Sequence, residues 1–122
     1  MNVLSLFDGI SAGRLALERA GIDVDVYYRA EIDKYANTIA KKNYPDSVDL
    51  GDVTNWRTWD IDWSGIDLLI GGSPCQGFSF AGKQLAFDDP RSKLFFVYVD
   101  ILNHIKSVNP TVKFMLENVR MK

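Results

Sequence analysis

The sequence predicts an α/β fold, a doubly wound domain with a mainly parallel sheet. Apolar runs of strand length alternate with segments of helical periodicity, which is the order that βαβ units produce. Polar residues follow one candidate strand after another, at the carboxyl end where open parallel sheets bind ligands. At 122 residues the chain is long enough to bury the core of one such domain. We therefore expect a single α/β unit over residues 1–122.

The first apolar run, Val3-Leu4-Ser5-Leu6-Phe7, is a predicted strand that leads into the turn Asp8-Gly9. Ser11 stands where the N-cap of the next helix is expected, and Gly21 stands where that helix must end. The sequence thus begins with a strand, a turn and a helix.

The second predicted strand covers residues 24–30 and is followed by Glu31. Asp33 is the expected N-cap of a second helix, with Ala36, Ile39 and Ala40 on one face, which must end before Pro45. Residues 47–53 are expected to form a short strand or loop, and no element is assigned to residues 55–65.

A strong apolar strand at residues 66–70 delivers the chain into Gly71-Gly72-Ser73-Pro74-Cys75-Gln76. A last strand is expected at residues 112–116, just before Glu117. Between them lies the clearest amphipathic helix, which Asn109-Pro110 ends. Its apolar residues recur at helical spacing: Leu94, Val97, Tyr98, Ile101, Leu102 and Ile105.

Composition excludes several classes of protein. The chain is 47% hydrophobic and 25% charged, has no apolar stretch near the ~20 residues of a membrane span, and carries no signal-peptide pattern. We therefore expect a cytoplasmic protein with no membrane partner. With a net charge of −2, the chain lacks the excess of basic residues that is expected of a free-standing nucleic-acid-binding protein.

Cys75 is the only cysteine and His104 the only histidine, so an intrachain disulfide and a zinc cluster are both excluded as explanations of the thiol. A lone cysteine is most often a small buried apolar residue. Pro74, however, stiffens a turn at the predicted ligand-binding edge, which favours a reactive thiol. We expect no metal cofactor, and we assign His104 to the amphipathic helix without a catalytic role.

Glu31 and Asp52 indicate a nucleoside site. Glu31 follows Gly9 by about 20 positions, where a carboxylate accepts hydrogen bonds from ribose hydroxyls, and Asp52 is suited to accept from an adenine amino group. The alternatives are a turn without ligand, a loop-capping Asp52 and an exposed strand-end Glu117. Ser11 breaks the dinucleotide pattern of glycines, which disfavours a nicotinamide enzyme.

Five short motifs follow one another along the chain: Phe7-Asp8-Gly9-Ile10, Glu31, Asp52-Val53, Pro74-Cys75-Gln76 and Glu117-Asn118-Val119. In these motifs and their order the sequence resembles the DNA cytosine-5 methyltransferases, over essentially its whole length. The Pro-Cys-Gln and Glu-Asn-Val pair is highly specific to that family. The first motif, with Arg91 near Leu94-Phe95-Phe96, looks closest to the catalytic domain of the animal de novo enzymes. The Gln76 form of the cysteine motif is typical of bacterial and phage members.

The resemblance implies a Rossmann-like fold that binds S-adenosylmethionine, the methyl donor. Glu31 would hold the ribose hydroxyls, Ile32 would lie against the adenine, and Asp52 and Val53 would meet its edge. The first motif would lie along the cofactor, and Pro74 and Leu94 would line the pocket. The residues of that first motif are Phe7, Asp8, Gly9, Ile10 and Ala12.

The resemblance also implies the reaction. The Cys75 thiolate would add to carbon 6 of a flipped cytosine in DNA, because carbon 5 is otherwise too poor a nucleophile to accept a methyl group. Glu117 would bind N3 and the exocyclic amine and stabilise the charge that develops on the ring. The implied activity is DNA cytosine-5 methylation, as in restriction–modification systems.

The family's target-recognition region and C-terminal motifs do not occur within residues 1–122. By this resemblance the sheet is incomplete at its C-terminal side, and we expect the chain alone to be inactive without a complementing C-terminal chain, or to self-associate through an open sheet edge. Two alternatives are a cytosine-5 tRNA methyltransferase and a non-catalytic nucleoside-binding or assembly protein that retains the fold.

Overall fold

The structure is a computed structural model that describes residues 1–72 and 90–116, with residues 90–92 described by their backbone alone. Within these ranges all strand pairings are parallel. The strands are β1 (Asn2–Leu6), β2 (Val26–Ala30), β3 (Val48–Asp49), β4 (Leu68–Gly71) and β5 (Lys113–Leu116), in the spatial order β3-β2-β1-β4-β5. The predicted doubly wound α/β architecture is confirmed.

Three helices flank the sheet in the described part of the chain: α1 (Ala12–Arg19), α2 (Lys34–Asn43) and α3 (Pro90–Val108). The region between β3 and β4, to which the sequence assigned no element, contains two short 3₁₀ helices, Val53–Thr58 and Trp63–Gly65. No helix within the two described ranges has the length and hydropathy to cross a bilayer.

Helix α1 ends as its sequence predicted, but its N-cap differs from the prediction. Gly21, at φ 75°, ends the helix: its N–H donates to the carbonyl of Glu18, and the N–H of Ile22 donates to that of Leu17. This is the Schellman pattern expected at such a glycine. Ser11 stands at the N-cap, but its side chain does not cap the helix and instead donates to the carboxylate of Asp8.

Helix α2 begins as predicted, because the Asp33 carboxylate accepts from the backbone N–H groups of Tyr35 and Ala36. Its last residue is Asn43, two positions before Pro45. The face of α2 that was expected to be apolar and buried is only partly buried. Ala40 is fully buried, whereas Ile39 is 45% exposed.

The main core lies between the sheet and the face covered by α3 and the 3₁₀ helices. Tyr98, Ile101 and Ile105 of α3 are buried there, as their helical spacing predicted. His104 packs against two tryptophans, with ring centroids 5.4 Å from Trp56 and 4.9 Å from Trp63. A smaller core under α1 is formed by Val3, Tyr27 and Ile70.

The strand order places a topological switch point between β1 and β4. From β1 the chain passes to β2 on one side, and β4 lies on the other side. The carboxyl ends of β1 and β4 therefore lie side by side at this switch point, which is where such sheets bind ligands. At the far side β5 is an edge strand of the described sheet, with Phe114 51% and Met115 59% exposed.

Candidate functional site

A cavity of about 350 Å³ opens at the carboxyl edge of the sheet, where the ends of β1 to β4 face the start of α3. This volume lies within the range of roughly 300–1,000 Å³ typical of small-molecule sites. The residues that line the cavity are Phe7, Ala30, Glu31, Ile32, Gly51, Asp52, Val53, Gly72 and Leu94. Six of them are residues that the sequence singled out for a cofactor, and the fold brings them together from four separate segments.

Glu31 supplies a carboxylate that backbone N–H groups hold in place. Its Oε1 accepts from the N–H of Gly9 at 2.8 Å, and its Oε2 accepts from the N–H groups of Ile32 at 3.1 Å and Asp33 at 3.0 Å. A carboxylate offers about four acceptor positions. Glu31 therefore keeps acceptor capacity for a ligand donor while its orientation is fixed.

Asp52 supplies the second carboxylate of the cavity. Its Oδ1 accepts from the N–H of Thr54 at 2.9 Å and from the Thr54 hydroxyl at 2.8 Å, so Asp52 caps the first 3₁₀ helix. Within the described ranges no hydrogen bond reaches Oδ2 of Asp52. Asp52 can therefore cap the 3₁₀ helix and bind a ligand at the same time, because its two carboxylate oxygens have different environments.

The remaining walls are apolar. Phe7, Val53 and Leu94 pack in or against the main core, whereas Ile32 is 70% exposed at the rim. An exposed isoleucine beside a fixed carboxylate gives the cavity one apolar and one polar side. This combination suits a nucleoside, whose flat base is apolar on its faces and whose ribose carries hydroxyl donors.

The turn after β1 has an unusual backbone. Phe7 and Ser11 adopt the left-handed region at φ 55° and 68°, and Gly9 between them has φ 64°. Non-glycine residues in this region cost of order 1–3 kcal/mol each and persist only where the surroundings hold them. The turn therefore depends on the contacts made by the residues around it.

Those contacts converge on the Asp8 side chain, which is 1% exposed. Its Oδ1 accepts from the hydroxyls of Ser5 and Tyr27, both at 2.6 Å, and its Oδ2 accepts from the Ser11 hydroxyl and from Nε of Arg29 at 2.7 Å. A buried carboxylate is stable only with this degree of hydrogen bonding and charge pairing. Asp8 thus stabilises the turn from the interior of the protein.

Arg29 is the residue of this region that the sequence reasoning missed. It is 1% exposed in the middle of β2 and donates to Asp8, Asn37, Asp49 and the carbonyl of Gly9. One feature of the sequence could have revealed it. A charged side chain inside an apolar strand requires a buried counter-charge, and Asp8 follows the neighbouring strand.

Two members of this network, Tyr27 and Arg29, have pKa values raised from their ordinary values. Burial raises the pKa of the Tyr27 hydroxyl, and the charge of Asp8 and the hydrogen bond to it act in the same direction. Burial lowers the pKa of Arg29, but its hydrogen bonds to Asp49 and Asp8 outweigh burial, so that this pKa is raised overall. Tyr27 is therefore a neutral donor and Arg29 a cation.

Some predicted residues lie outside the cavity wall. Asp8 and Gly9 belong to the turn behind it, and Ile10 and Ala12 are exposed beyond it. Pro74, Cys75 and Glu117 fall outside the described residues. Within the described ranges no group of three His, Cys, Asp or Glu side chains is placed to hold a metal ion.

Known proteins similar to this chain share both its sequence and its fold. The "Type II methyltransferase M.NgoBV" of Neisseria gonorrhoeae is 41% identical over 120 residues, covering 95% of this chain and 27% of the relative. The "Orphan methyltransferase M.Rho11sI" of Bacillus phage rho11s is 41% identical over 125 residues, covering 98% and 23%. A DNMT2 mutant structure from Spodoptera frugiperda has TM-score 0.63 and 26% identity, covering 97% of this chain and 35% of that one.

This chain therefore spans about a quarter of the length of these two curated relatives. Their bacterial and phage origin agrees with the Gln76 form of the cysteine motif. The family model "C-5 cytosine-specific DNA methylase" matches residues 1–121. The chain belongs to the C-5 cytosine-specific DNA methylase family.

Proposed function

We propose that this chain is the N-terminal part of a catalytic domain that transfers a methyl group from S-adenosylmethionine to carbon 5 of cytosine in DNA. The observation that carries the proposal is the cavity at the switch point of the sheet, with Glu31 fixed beside an apolar wall. The relatives from Neisseria gonorrhoeae and Bacillus phage rho11s are methyltransferases, which supports the same chemistry.

The residues of the cavity fit the nucleoside end of S-adenosylmethionine. Glu31 would accept from the ribose hydroxyls, Ile32 would pack on the adenine, and Oδ2 of Asp52 would accept from the adenine amine. Val53 and Leu94 would cover the base from the core side. When bound, S-adenosylmethionine supplies an electrophilic methyl group.

The turn after β1 would contact the rest of the cofactor. Phe7 lines the cavity, while Asp8, Gly9, Ile10 and Ala12 form or follow the turn, which we propose approaches the cofactor through its backbone. Glycine at position 9 permits that approach, because it carries no side chain at a φ of 64°. Pro74 would close the pocket next to the cysteine.

We propose Cys75 as the nucleophile and Glu117 as its partner. The Cys75 thiolate would form a bond to carbon 6 of a flipped cytosine, and Glu117 would hydrogen-bond N3 and the exocyclic amine. After methyl transfer, loss of the carbon 5 proton would expel the Cys75 thiolate and restore the ring. Both residues follow strands, β4 and β5, that pair directly in the sheet.

Completion of the domain is part of the proposal. The relatives are about four times as long as the matched region, and the exposed Phe114 and Met115 on β5 form an apolar edge suited to further strands. We propose that a complementing C-terminal chain, or self-association, covers this edge and that the isolated chain has little or no activity. We place the protein in the cytoplasm of a bacterial or phage-infected cell, in keeping with the bacterial and phage origin of the relatives.

Covalent trapping tests this function. Residues 1–122 would be joined to the part of the Neisseria gonorrhoeae relative that follows its matched region and incubated with S-adenosylmethionine and DNA containing 5-fluorocytosine. Fluorine cannot leave as a proton does, so the thiolate stays bound and a DNA-linked protein accumulates. Cys75→Ser must abolish the adduct, and Ser107→Ala on the exposed end of α3 serves as a matched surface control.

Three outcomes separate the candidate functions. An adduct that depends on Cys75 supports DNA cytosine methylation. An adduct that forms with fluorinated tRNA and not with DNA would transfer the proposal to tRNA. Absence of any adduct, with the cofactor bound, would favour a nucleoside-binding protein without turnover.

A further inference from the structure

Arg29 lies directly behind the proposed cofactor cavity without being part of its wall. We propose that Arg29 is a positioning residue that sets the placement of Gly9 and Glu31, and through them the affinity of the cavity for the nucleoside. The inference rests on the proposed function for its ligand. Its structural basis is a set of hydrogen bonds that connect the guanidinium to the turn after β1, to α2 and to β3.

The first connection runs through Gly9. Nη2 of Arg29 donates to the carbonyl of Gly9 at 2.8 Å, and the N–H of the same residue donates to Oε1 of Glu31 at 2.8 Å. Gly9 is therefore held on its carbonyl side by Arg29 and on its amide side by Glu31. A shift of the turn moves the donor that orients the Glu31 carboxylate.

The second connection runs through α2. Nη1 of Arg29 donates to Oδ1 of Asn37 at 2.6 Å, and Nδ2 of Asn37 donates to the backbone carbonyl of Glu31 at 3.0 Å. The side chain and the backbone of Glu31 are thus both linked to the same guanidinium. Two separate routes make the position of Glu31 sensitive to Arg29.

The third connection runs to β3, the strand that precedes the wall residues 51–53. Nη1 of Arg29 also donates to Oδ1 of Asp49 in β3 at 2.8 Å, three residues before Asp52 of the cavity wall. On the sheet side Nε pairs with the buried Asp8 at 2.7 Å. Four of the five guanidinium donors are therefore engaged, in different directions. A lysine ammonium, which is a single point charge, cannot occupy all of these positions at once.

Arg14 provides a matched control. It is also buried, 8% exposed, and forms an ion pair of 2.6 Å with Asp46 and a hydrogen bond of 2.8 Å to Ser47. Its guanidinium lies over the rings of Tyr27 and Tyr44, and among the described residues its hydrogen bonds go to Asp46 and Ser47 and not to the turn or the cavity wall. Loss of Arg14 removes a buried arginine without removing the connections to Glu31.

The experiment compares Arg29→Lys, Arg29→Met and Arg14→Met in the full 122-residue chain. Two quantities are measured at a temperature where each variant is folded: binding of S-adenosylhomocysteine by calorimetry, and hydrogen exchange of the Gly9 amide in the absence of ligand. We expect both Arg29 variants to lose about tenfold or more in affinity and to lose Gly9 amide protection, since small misplacements in a site have such effects. Arg14→Met should change neither beyond its effect on folding. If Arg29→Met does not fold, the comparison is made with Arg29→Lys and with Asn37→Ser. The Asn37→Ser variant removes the second connection alone.

The two measurements distinguish the failure of this inference from the failure of the proposed function. If wild-type protein does not bind S-adenosylhomocysteine, the proposed cofactor site is refuted, and the exchange of the Gly9 amide still decides whether Arg29 positions the turn. If the Gly9 amide of the Arg29 variants remains as protected as in wild type, the positioning role is overturned. The same holds if Arg14→Met weakens binding as much as Arg29→Met.

Discussion

The carboxylate of Glu31 accepts a hydrogen bond of 2.8 Å from the backbone amide of Gly9, and this bond joins the carboxyl ends of β2 and β1. The two residues are 22 positions apart in sequence. Because backbone N–H groups hold both carboxylate oxygens, the acceptor position that remains on Glu31 is held at a fixed distance from the glycine turn. A ligand that contacts both Glu31 and the glycine turn would therefore bind to a preformed site.

Replacement of Glu31 by glutamine tests this site. We expect Glu31→Gln to weaken S-adenosylhomocysteine binding by about tenfold to a hundredfold, because a charged hydrogen-bond acceptor is lost and the amide group cannot accept at both ends. Calorimetric titration measures the affinity. Glu18→Gln is the matched control, since among the described residues the Glu18 carboxylate accepts one hydrogen bond, from the Tyr44 hydroxyl at 3.2 Å. Equal affinities for wild type and Glu31→Gln would contradict the assignment.

Gly71, the last residue of β4, and Gly72, the residue after it, should differ in their tolerance of a methyl group. A Cβ at Gly71 would lie 2.9 Å from Cε2 of Tyr98 and 3.0 Å from the backbone carbonyl of Leu6, whereas a Cβ at Gly72 meets nothing within 4 Å. We expect Gly71→Ala to lower the free energy of unfolding by about 1–3 kcal/mol. Gly72→Ala should stay within about 0.5 kcal/mol of wild type. Urea unfolding followed by tryptophan fluorescence measures both, and a similar loss in the two variants would refute the close packing of Gly71.

Stability should fall in alkaline solution because of two buried tyrosines. Burial raises the pKa of Tyr27 and of Tyr98 above the ordinary value of 10.0, and the Asp8 carboxylate raises that of Tyr27 further. Both hydroxyls donate in the folded state, to Asp8 at 2.6 Å and to the carbonyl of Met115 at 2.8 Å. Each folded pKa lies above the unfolded one, so the stabilisation is complete below pH 10 and is lost as the pH rises above it.

The expected slope is about 1.4 kcal/mol per pH unit for each tyrosine above pH 10. Urea unfolding at a series of alkaline pH values measures it. Tyr27→Phe and Tyr98→Phe should each make the dependence shallower, whereas Tyr35→Phe, at a side chain that is 84% exposed, should leave it unchanged. A decline of the same slope in all four proteins would show that other groups cause it.

The exposed edge of β5 should make the isolated chain associate. Met115 is 59% exposed and Phe114 51% exposed on this edge strand. We expect Met115→Lys to lower concentration-dependent association, because a charge on an edge strand opposes pairing with a second strand. Sedimentation velocity over a range of concentrations measures the change. Ile39→Lys, on an exposed position of α2, is the control, and an equal effect there would attribute association to general surface hydrophobicity.

Much of the fold was predictable because the pattern of apolar residues is local information. The runs that became β1 and β4, the helical spacing from Leu94 to Ile105, and the stop at Gly21 each depend on neighbours a few residues away. The 3₁₀ helices between β3 and β4 were not predictable in this way. Their tryptophans are buried by contacts with α3, which is distant in sequence.

The sequence predicted most of the residues that line the cavity, but it did not predict the buried residues that hold them in position. Glu31 and Asp52 were identified because parallel strands deliver the residues that follow them to one edge. The role of Asp8 could not be read in the same way, because its four partners come from both β1 and β2 and from the turn. Arg29 appeared only as one polar residue in an apolar strand.

The amino-acid sequence by itself determined the α/β class, the family and the identity of the residues at the carboxyl ends of the strands, since periodicity and motif order are properties of the chain alone. Tertiary structure decided which of those residues share a cavity and which support it from behind. Asp8 is directed into the protein and Glu31 toward the cavity. The physical reason is that burial of a charge requires partners from distant segments, and only the folded chain brings Arg29, Tyr27 and Asp8 within hydrogen-bonding distance.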